Sequence, residues 1–444
     1  MREVTKLLLP PFLILPFSLF VFSCADDEPL GPARPPVRHA IQLIDSSYVL
    51  AATYIPPSTD PVLTLNAGIS LRILSDSARV AAYSVGIGNV TKHYVPVQGT
   101  LSYNSLFTIA LQETFTGIVP FISRPAVELV VELKTYVGLI ESTLVFTHVS
   151  QRIVDWTGVQ EPGLEEIDAG AGQTVSTGEL IWARDNSGFF FSAVQSGKSI
   201  VSFYKLADSS VTSTTPVDDS FRAYDVSQSG GNLLIGPSTG TPGGLLLLEI
   251  GTGLTTPLLA ALPDRIITSA RFSSNDSGIV LTTHHTDSSA LNEVWLYRRG
   301  GGSIARMSAL SDGTSLRIVR WLPSSNDKFV FHRFGSALSV YSLSDSTIST
   351  FPFTAPFYPS SLLDDGFTVL GTRTIADGSL VVESHVWKYT LTDQAVRQLT
   401  YVDEVLFEAK LSPDGTKLAF LAQRGGKLGL YVLKVTGVLG KRGQ

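Results

Sequence analysis

His284-His285-Thr286-Asp287 is the one local cluster in this chain with metal-ligand residue types, two imidazoles and a carboxylate in a row. Adjacent residues on a strand point to opposite faces, so both rings converge on one ion only if the chain bends there. An exposed polar loop after a strand is the plainer reading, and the sequence implies no metal and no cofactor. The acid pairs Asp218-Asp219, Asp364-Asp365 and Asp403-Glu404 have the residue types that a glycosidase or lyase uses as acid and base. Each pair sits among turn formers, where solvated carboxylates are the simpler account. Gly236-Pro237-Ser238-Thr239-Gly240 has the letters of a Gly-x-Ser-x-Gly nucleophile elbow, but that motif needs a strand-to-helix turn and the Pro- and Gly-rich run after it cannot open a helix, so a serine peptidase is not expected. Gly300-Gly301-Gly302 lacks the Lys and Ser or Thr of a phosphate loop and reads as a turn. Asn89-Val90-Thr91 and Asn275-Asp276-Ser277 match the glycosylation acceptor pattern, which carries little weight. No catalytic residue is assigned.

The elements that must position any site are strands. Six times, a polar turn of Asp, Asn, Ser or Gly throws the chain into a short apolar run. The clearest copy is Ala409-Lys410-Leu411-Ser412-Pro413-Asp414-Gly415-Thr416-Lys417-Leu418-Ala419-Phe420, where Asp and Gly supply the turn and the flanking alternation supplies the hairpin. The others centre on Asn186-Ser187-Gly188, Ser229-Gly230-Gly231, Asp276-Ser277-Gly278, Asn326-Asp327-Lys328 and Asp364-Asp365-Gly366. A spacing of roughly 40 to 50 residues suits one four-stranded propeller blade. Each turn is followed by a further strand with aromatic or aliphatic alternation, such as Val294-Trp295-Leu296-Tyr297 or Leu428-Gly429-Leu430-Tyr431. The last unit has no fourth strand of its own. The segment 151–170 stands where a propeller borrows a closing strand from the N-terminal side of the ring.

Before the repeats, residues 41–150 read as a β-sandwich-like domain, with strands at Tyr48–Tyr54, Ile69–Leu74, Arg79–Val85, Leu106–Glu113, Ala126–Leu133 and Ser142–Val149 separated by Pro, Gly and Asn turns. The fold class expected is therefore all-β: a C-terminal six-bladed β-propeller over 151–440, preceded by that sandwich. Sparse charge and abundant Gly, Ser and Thr agree with it.

The chain opens with Met1-Arg2-Glu3-Val4-Thr5-Lys6 and runs apolar from Leu7 to Phe22, interrupted by Pro10, Pro11 and Pro16. That is a signal peptide over 1–23 rather than a membrane span, which needs about 20 uninterrupted apolar residues. It ends at Val21-Phe22-Ser23-Cys24, and Cys24 is the only cysteine. The arrangement resembles a bacterial lipobox, which implies lipidation of Cys24; acylation would consume the one thiol of an exported chain. Residues 24–40, rich in Pro and acid, then form a stiff tether. The expected location is the bacterial cell envelope, lipid-anchored, at the outer membrane and facing either the periplasm or the surface. The net charge of −6 and the absence of a Lys and Arg cluster argue against nucleic acid as a partner.

Ser412-Pro413-Asp414-Gly415-Thr416-Lys417-Leu418-Ala419-Phe420, with Leu430-Tyr431-Val432 after it and Arg397-Gln398-Leu399-Thr400 before, resembles the repeat of TolB-like, WD-related bacterial propellers. The resemblance implies a six-bladed envelope propeller that acts as a binding platform. In such a ring, loops leading into the first strand of a blade and loops joining its second and third strands face one channel mouth. The first set offers Asp219, Arg222, Asp264, Arg265, Asp312, Tyr358, Asp403 and Glu404; the second offers His284, Arg333, Arg373 and Arg424. Mixed charge with aromatics suits a protein or peptide partner, or a glycan. The leading expectation is a non-enzymatic scaffold that docks another envelope protein; the alternative is a carbohydrate-binding or carbohydrate-active propeller using the same mouth.

Overall fold

The computed structural model describes residues 39–56, 58, 60–75, 77–96, 99–137, 140–156, 161–215, 220–238, 242–311, 316–323, 325–333, 338–351, 357–363, 365–366, 368–377, 380–392, 395–401, 405–424 and 426–435. Cys24 and the tether lie outside the described residues, as do Asp219, Asp312, Asp403 and Glu404. The described residues are strands joined by turns, with two short 3-10 segments at Arg299–Gly301 and Ser308–Leu310. Among them no helix is long and apolar enough to cross a membrane.

The N-terminal part is two sheets. In one, Ser105–Phe115, Pro61–Leu74 and Ala40–Tyr54 lie side by side, with Val154–Asp155 at the edge; in the other the order is Val90–Tyr94, Ala78–Ile87, Ala126–Val137 and Ile140–Gln151. Period-two alternation explains their pairing face to face. Leu63, Leu65, Ala67, Ile69, Leu71 and Ile73 on one sheet and Val127, Leu129, Val131 and Leu133 on the other are all buried in a single core. Two strands run longer than expected: Pro61–Leu74 because its buried alternation starts at Val62, and Ala40–Tyr54 because backbone pairing begins before its first buried side chain, Tyr48. Val90–Tyr94 is not among the expected strands: none of its side chains is fully buried, and polar Thr91, Lys92 and His93 separate its two apolar ends.

The rest is a six-bladed propeller. Blade 1 has an interrupted inner strand (Gln173–Val175, then Ile181–Trp182) followed by Gly188–Gln195, Lys198–Lys205 and Ser210–Ser213. Blades 2 to 5 are four-stranded antiparallel sheets over 221–259, 265–306, 316–351 and 358–398. Blade 6 supplies Val405–Leu411, Lys417–Arg424 and Lys427–Lys434, and its outer strand is Leu164–Ile167, paired Leu430 to Ile167 through Leu433 to Leu164. Inner strands contact their neighbours all the way round, from blade 1 to blade 6 and back to blade 1.

Six buried apolar clusters, one between each pair of adjacent blades, hold the ring together. This is why the middle strands read as continuous apolar runs: Phe189, Phe190 and Phe191 are all buried, because both faces of the sheet are covered. The six polar turns all join the first and second strands of their blades. In blade 6, Asp414 Oδ1 accepts from Ser412 Oγ at 2.6 Å, Thr416 N at 3.0 Å and Thr416 Oγ1 at 2.8 Å, and Ser412 Oγ accepts from Lys417 N at 2.9 Å. Gly415 sits at φ 72°, where a side chain is strained. Blade 3 repeats the pattern with Asn275 in the place of Asp414 and Ser273 in the place of Ser412. Some turns also bond the next blade: Asn186 Oδ1 accepts from Asp414 N at 3.1 Å, and the Asp276 carboxylate accepts from Gln228 N at 2.8 and 2.9 Å.

The sandwich is clamped onto blade 5. Gln398 Oε1 accepts from Phe121 N at 2.9 Å while its Nε2 donates to Phe121 O at 2.8 Å, and Ser123 N donates to the Glu383 carboxylate at 2.9 Å. The Phe121 ring stands 5.5 Å from Trp156 and 5.8 Å from Tyr401.

Candidate functional site

The channel through the ring contains two cavities. One, of about 570 Å³, opens toward the loops that join second and third strands; the other, of about 660 Å³, opens toward the six polar turns. These are called the upper and lower cavities below. Glu179 and Tyr224 border both, so they mark the waist between them.

The waist is built from charge. Inner strands carry a register shift in blades 2 to 6, and a bulge of this kind re-aims the side chains beside it. In blade 1 the inner strand is broken outright, and Glu179 lies in the break. Its carboxylate meets the Arg271 guanidinium of blade 3 and stands 4.0 Å from Arg317 of blade 4. Arg317 in turn binds Glu408 of blade 6 through both carboxylate oxygens, at 2.9 and 2.8 Å, and Lys410 approaches Glu408 at 3.2 Å. The cations also bond to the backbone of neighbouring blades: Arg271 to Tyr224 O, Lys410 to Ser360 O, and Arg222 to Ile267 O. Arg222 Nε donates to Tyr224 Oη at 2.8 Å.

Burial pushes the Glu179 carboxyl upward, but Arg271, Arg317 and Lys410 outweigh it and hold it below the ordinary range. Glu408 raises the Arg317 guanidinium above its usual value against the effect of burial. Burial lowers the Lys410 ammonium, with Glu408 opposing. Burial likewise raises the Tyr224 phenol. Glu179 is therefore a paired, ionised group. A general acid near neutrality needs the opposite shift.

Among the residues singled out from sequence, Arg222 and His284 border the upper cavity together. The other described ones border neither cavity. Arg265 pairs with Glu293 at 3.0 Å, and Asp264 is exposed at φ 53°. Arg333, Arg373 and Arg424 lie over aromatic rings of their own blades: Phe331 at 5.8 Å, Trp387 at 5.4 Å and Tyr431 at 4.5 Å. Tyr358 is 40 % exposed and stands edge-on to His332 at 6.2 Å. His284 and His285 are not in a loop. They end the strand Gly278–His285, paired with Asn292 and Ser288, because the β-branched run before them extends the strand up to a tight turn. Alternation then separates the two rings: His284 borders the cavity, while His285 Nδ1 accepts from Asp287 N at 3.3 Å. Among the described residues no three His, Cys, Asp or Glu side chains are placed to hold a metal ion.

Glu179, Arg271, Arg317, Glu408 and Lys410 were missed from sequence, although a signal for some of them exists. Ala183, Ser227, Ser273, Leu322, Leu363 and Ser412 are equivalent, since each donates its N–H across the turn at the start of the second strand. Two residues earlier stand Ile181, Asp225, Arg271, Arg320, Ser361 and Lys410. Four blades thus put a charge at one repeat position of an otherwise apolar inner strand. Trp182 and Trp321 also occupy a shared position, and each indole N–H donates to the backbone carbonyl of that charged residue in the preceding blade, Lys410 O at 2.9 Å and Arg271 O at 3.1 Å.

No family model matches the chain, and no curated protein matches it in sequence. Among solved structures it is similar to TolB from Acinetobacter baumannii, at 12% identity and a TM-score of 0.43 over 69% of this chain and 77% of that one. It is similar to an oligogalacturonate lyase in complex with manganese, at 11% identity and a TM-score of 0.44 over 60% of this chain and 91% of that one. A luciferin-regenerating enzyme gives 13% identity and a TM-score of 0.45 over 62% and 95%. Likenesses this distant carry no argument about substrate, activity or partner. The chain is a six-bladed β-propeller behind a β-sandwich. That statement rests on its own sheets and their closure.

Proposed function

We propose that this protein is a lipid-anchored, non-enzymatic docking protein of the bacterial cell envelope, whose upper cavity captures a segment of another envelope protein. The observation that carries the reading is the make-up of that cavity. Phe407, which is 46 % exposed, lines it with Phe221 and Leu316 from two other blades, together with Arg222, His284 and Asn292 and a floor of ion pairs. Aromatic area next to a few fixed polar groups is what a peptide segment needs for anchoring and for orientation. The floor offers that segment fixed charges, because Glu179 and Glu408 are held by Arg271, Arg317 and Lys410.

Cross-linking in intact cells, capture through a C-terminal tag and mass spectrometry test the proposal. A recurrent envelope protein should come with the wild-type chain and be depleted at least fivefold with Phe407→Asp. A blank at good yield, or a catch indifferent to Phe407, overturns it.

A further inference from the structure

One sheet edge of this protein lacks the protection that the others carry. An open edge shows unpaired N–H and C=O groups to any other strand, so folded proteins keep such edges short, bulged or charged. Among the described residues, the outermost strand of each propeller blade has five residues or fewer. In the sandwich, Val90–Tyr94 is equally short and carries Lys92. Ser105–Phe115 turns Glu113 inward to Lys92, 2.6 Å away. The free stretch of Ala40–Tyr54 is bulged between Leu43 and Asp45.

Ile140–Gln151 has none of these devices. It is twelve residues long, pairs with Ala126–Val137 in one unbroken register, and has no described strand along its other edge. From Ser142 to Ser150 it contains no Pro, Gly, Lys, Arg, Asp or Glu. Glu141, just before, is tied to Lys134 of the neighbouring strand at 2.6 Å. On the outer face Val145 and Val149 are more than half exposed, and on the inner face Leu144 and Phe146 are only partly buried against the core. Such β-branched and aromatic residues are what a paired strand packs upon.

The strand is also its own complement. Residues opposite each other in an antiparallel pair point to the same face, so two identical strands related by a two-fold axis must centre on a residue. With Val145 at that centre, Thr143 stands opposite Thr147, Leu144 opposite Phe146, and Ser142 opposite His148 of the second copy. Hydroxyl meets hydroxyl, apolar meets apolar, and Glu141 meets Val149 rather than another carboxylate. His148 Nε2 is buried with no hydrogen-bond partner in its own chain, and this register brings a serine alongside that residue.

We propose that this edge is a homodimer interface, in which segments 140–150 of two copies pair antiparallel about a two-fold axis at Val145 and join two four-stranded sheets into one. The test is sedimentation velocity over a dilution series of the purified full-length chain carrying Cys24→Ser, which removes the one native thiol. A dimer that dissociates on dilution is expected. Val145→Lys sets two ammonium groups face to face at an exposed position and should weaken the dimer about tenfold or more. Leu254→Lys, exposed on blade 2, should leave it unchanged. Under mild oxidation Val145→Cys should give a disulfide-linked dimer, because opposite Cα atoms about 4.5–5.5 Å apart lie within disulfide reach, and Leu254→Cys should not. The cross-link decides the question if Val145→Lys fails to fold. A monomer at every concentration would leave the edge to another occupant and overturn the proposal. So would a dimer indifferent to Val145→Lys, or one that Val145→Cys does not link.

Discussion

Glu179 of blade 1 and Arg271 of blade 3 form an ion pair across the channel, passing over blade 2 entirely. Arg317 of blade 4 and Glu408 of blade 6 do the same across blade 5, at 2.8 Å. The 4.0 Å approach of Arg317 to Glu179 joins the two pairs into one network. The waist therefore couples four blades that share no sheet.

Removing one partner of such a buried pair leaves an uncompensated charge, which typically costs about 3–5 kcal/mol. Glu179→Gln is expected to lower stability by about 3 kcal/mol in urea unfolding, since Arg271 is almost fully buried. The double variant Glu179→Leu with Arg271→Met should recover most of that loss, and a double variant as unstable as the single would show that the pair itself holds the ring.

Acid should weaken the fold. The carboxyl groups of Glu179 and Asp414 lie below their ordinary values, the latter because Ser412 and Thr416 outweigh burial, and Asp185 is lowered by Ser187. A depressed folded-state value means that the unfolded chain takes up protons first as pH falls. The stabilisation is thus complete above about pH 5 and is lost progressively below about pH 4. Thermal unfolding between about pH 3 and 7 should show the midpoint falling on the acid side. A flat profile there would contradict these assignments.

The blade 6 turn is a compact hydrogen-bond unit. Asp414→Ala removes three acceptor contacts and should cost about 1–2 kcal/mol. Gly415→Val should cost about as much through its left-handed backbone alone. Both are read from the midpoint of chemical unfolding.

Gln398 joins the two domains. Gln398→Leu leaves the Phe121 N–H and carbonyl without their partner in a buried seam, a loss of about 2–4 kcal/mol. The expected signature is a calorimetric trace that splits toward two transitions, together with new proteolytic cleavage near Phe121. A single unshifted transition would place the strength of the seam in its aromatic contacts instead.

The anchor is tested by Cys24→Ser, which should move the protein from the membrane fraction to the soluble fraction. Retention in the membrane would remove lipidation from the proposed function.

The propeller was legible in the sequence because its turns are local. Ser412 to Lys417 contains its own donors, acceptors and glycine, so the motif identifies itself within a few residues. The waist was not legible in the same way. Arg271 and Lys410 share a repeat position that alignment of the blades exposes, but Glu179 lies in a break of its strand that no periodicity announces. Its partner is 92 residues away, and nothing short of the closed ring brings them together. The loop arginines misled for a related reason: Arg373 and Arg424 can either reach into a mouth or lie back on a ring of their own blade, and sequence does not tell these poses apart.

Pairing Leu164–Ile167 with the last blade also sets a schedule. The closing strand is synthesised about 260 residues before its partner and must wait, with its edge unpaired, until every blade has followed it. Ring completion is thus the most non-local strand pairing among the described residues. A truncation anywhere in the final hairpin would leave both ends of the ring open as sticky edges, prone to pair with other chains.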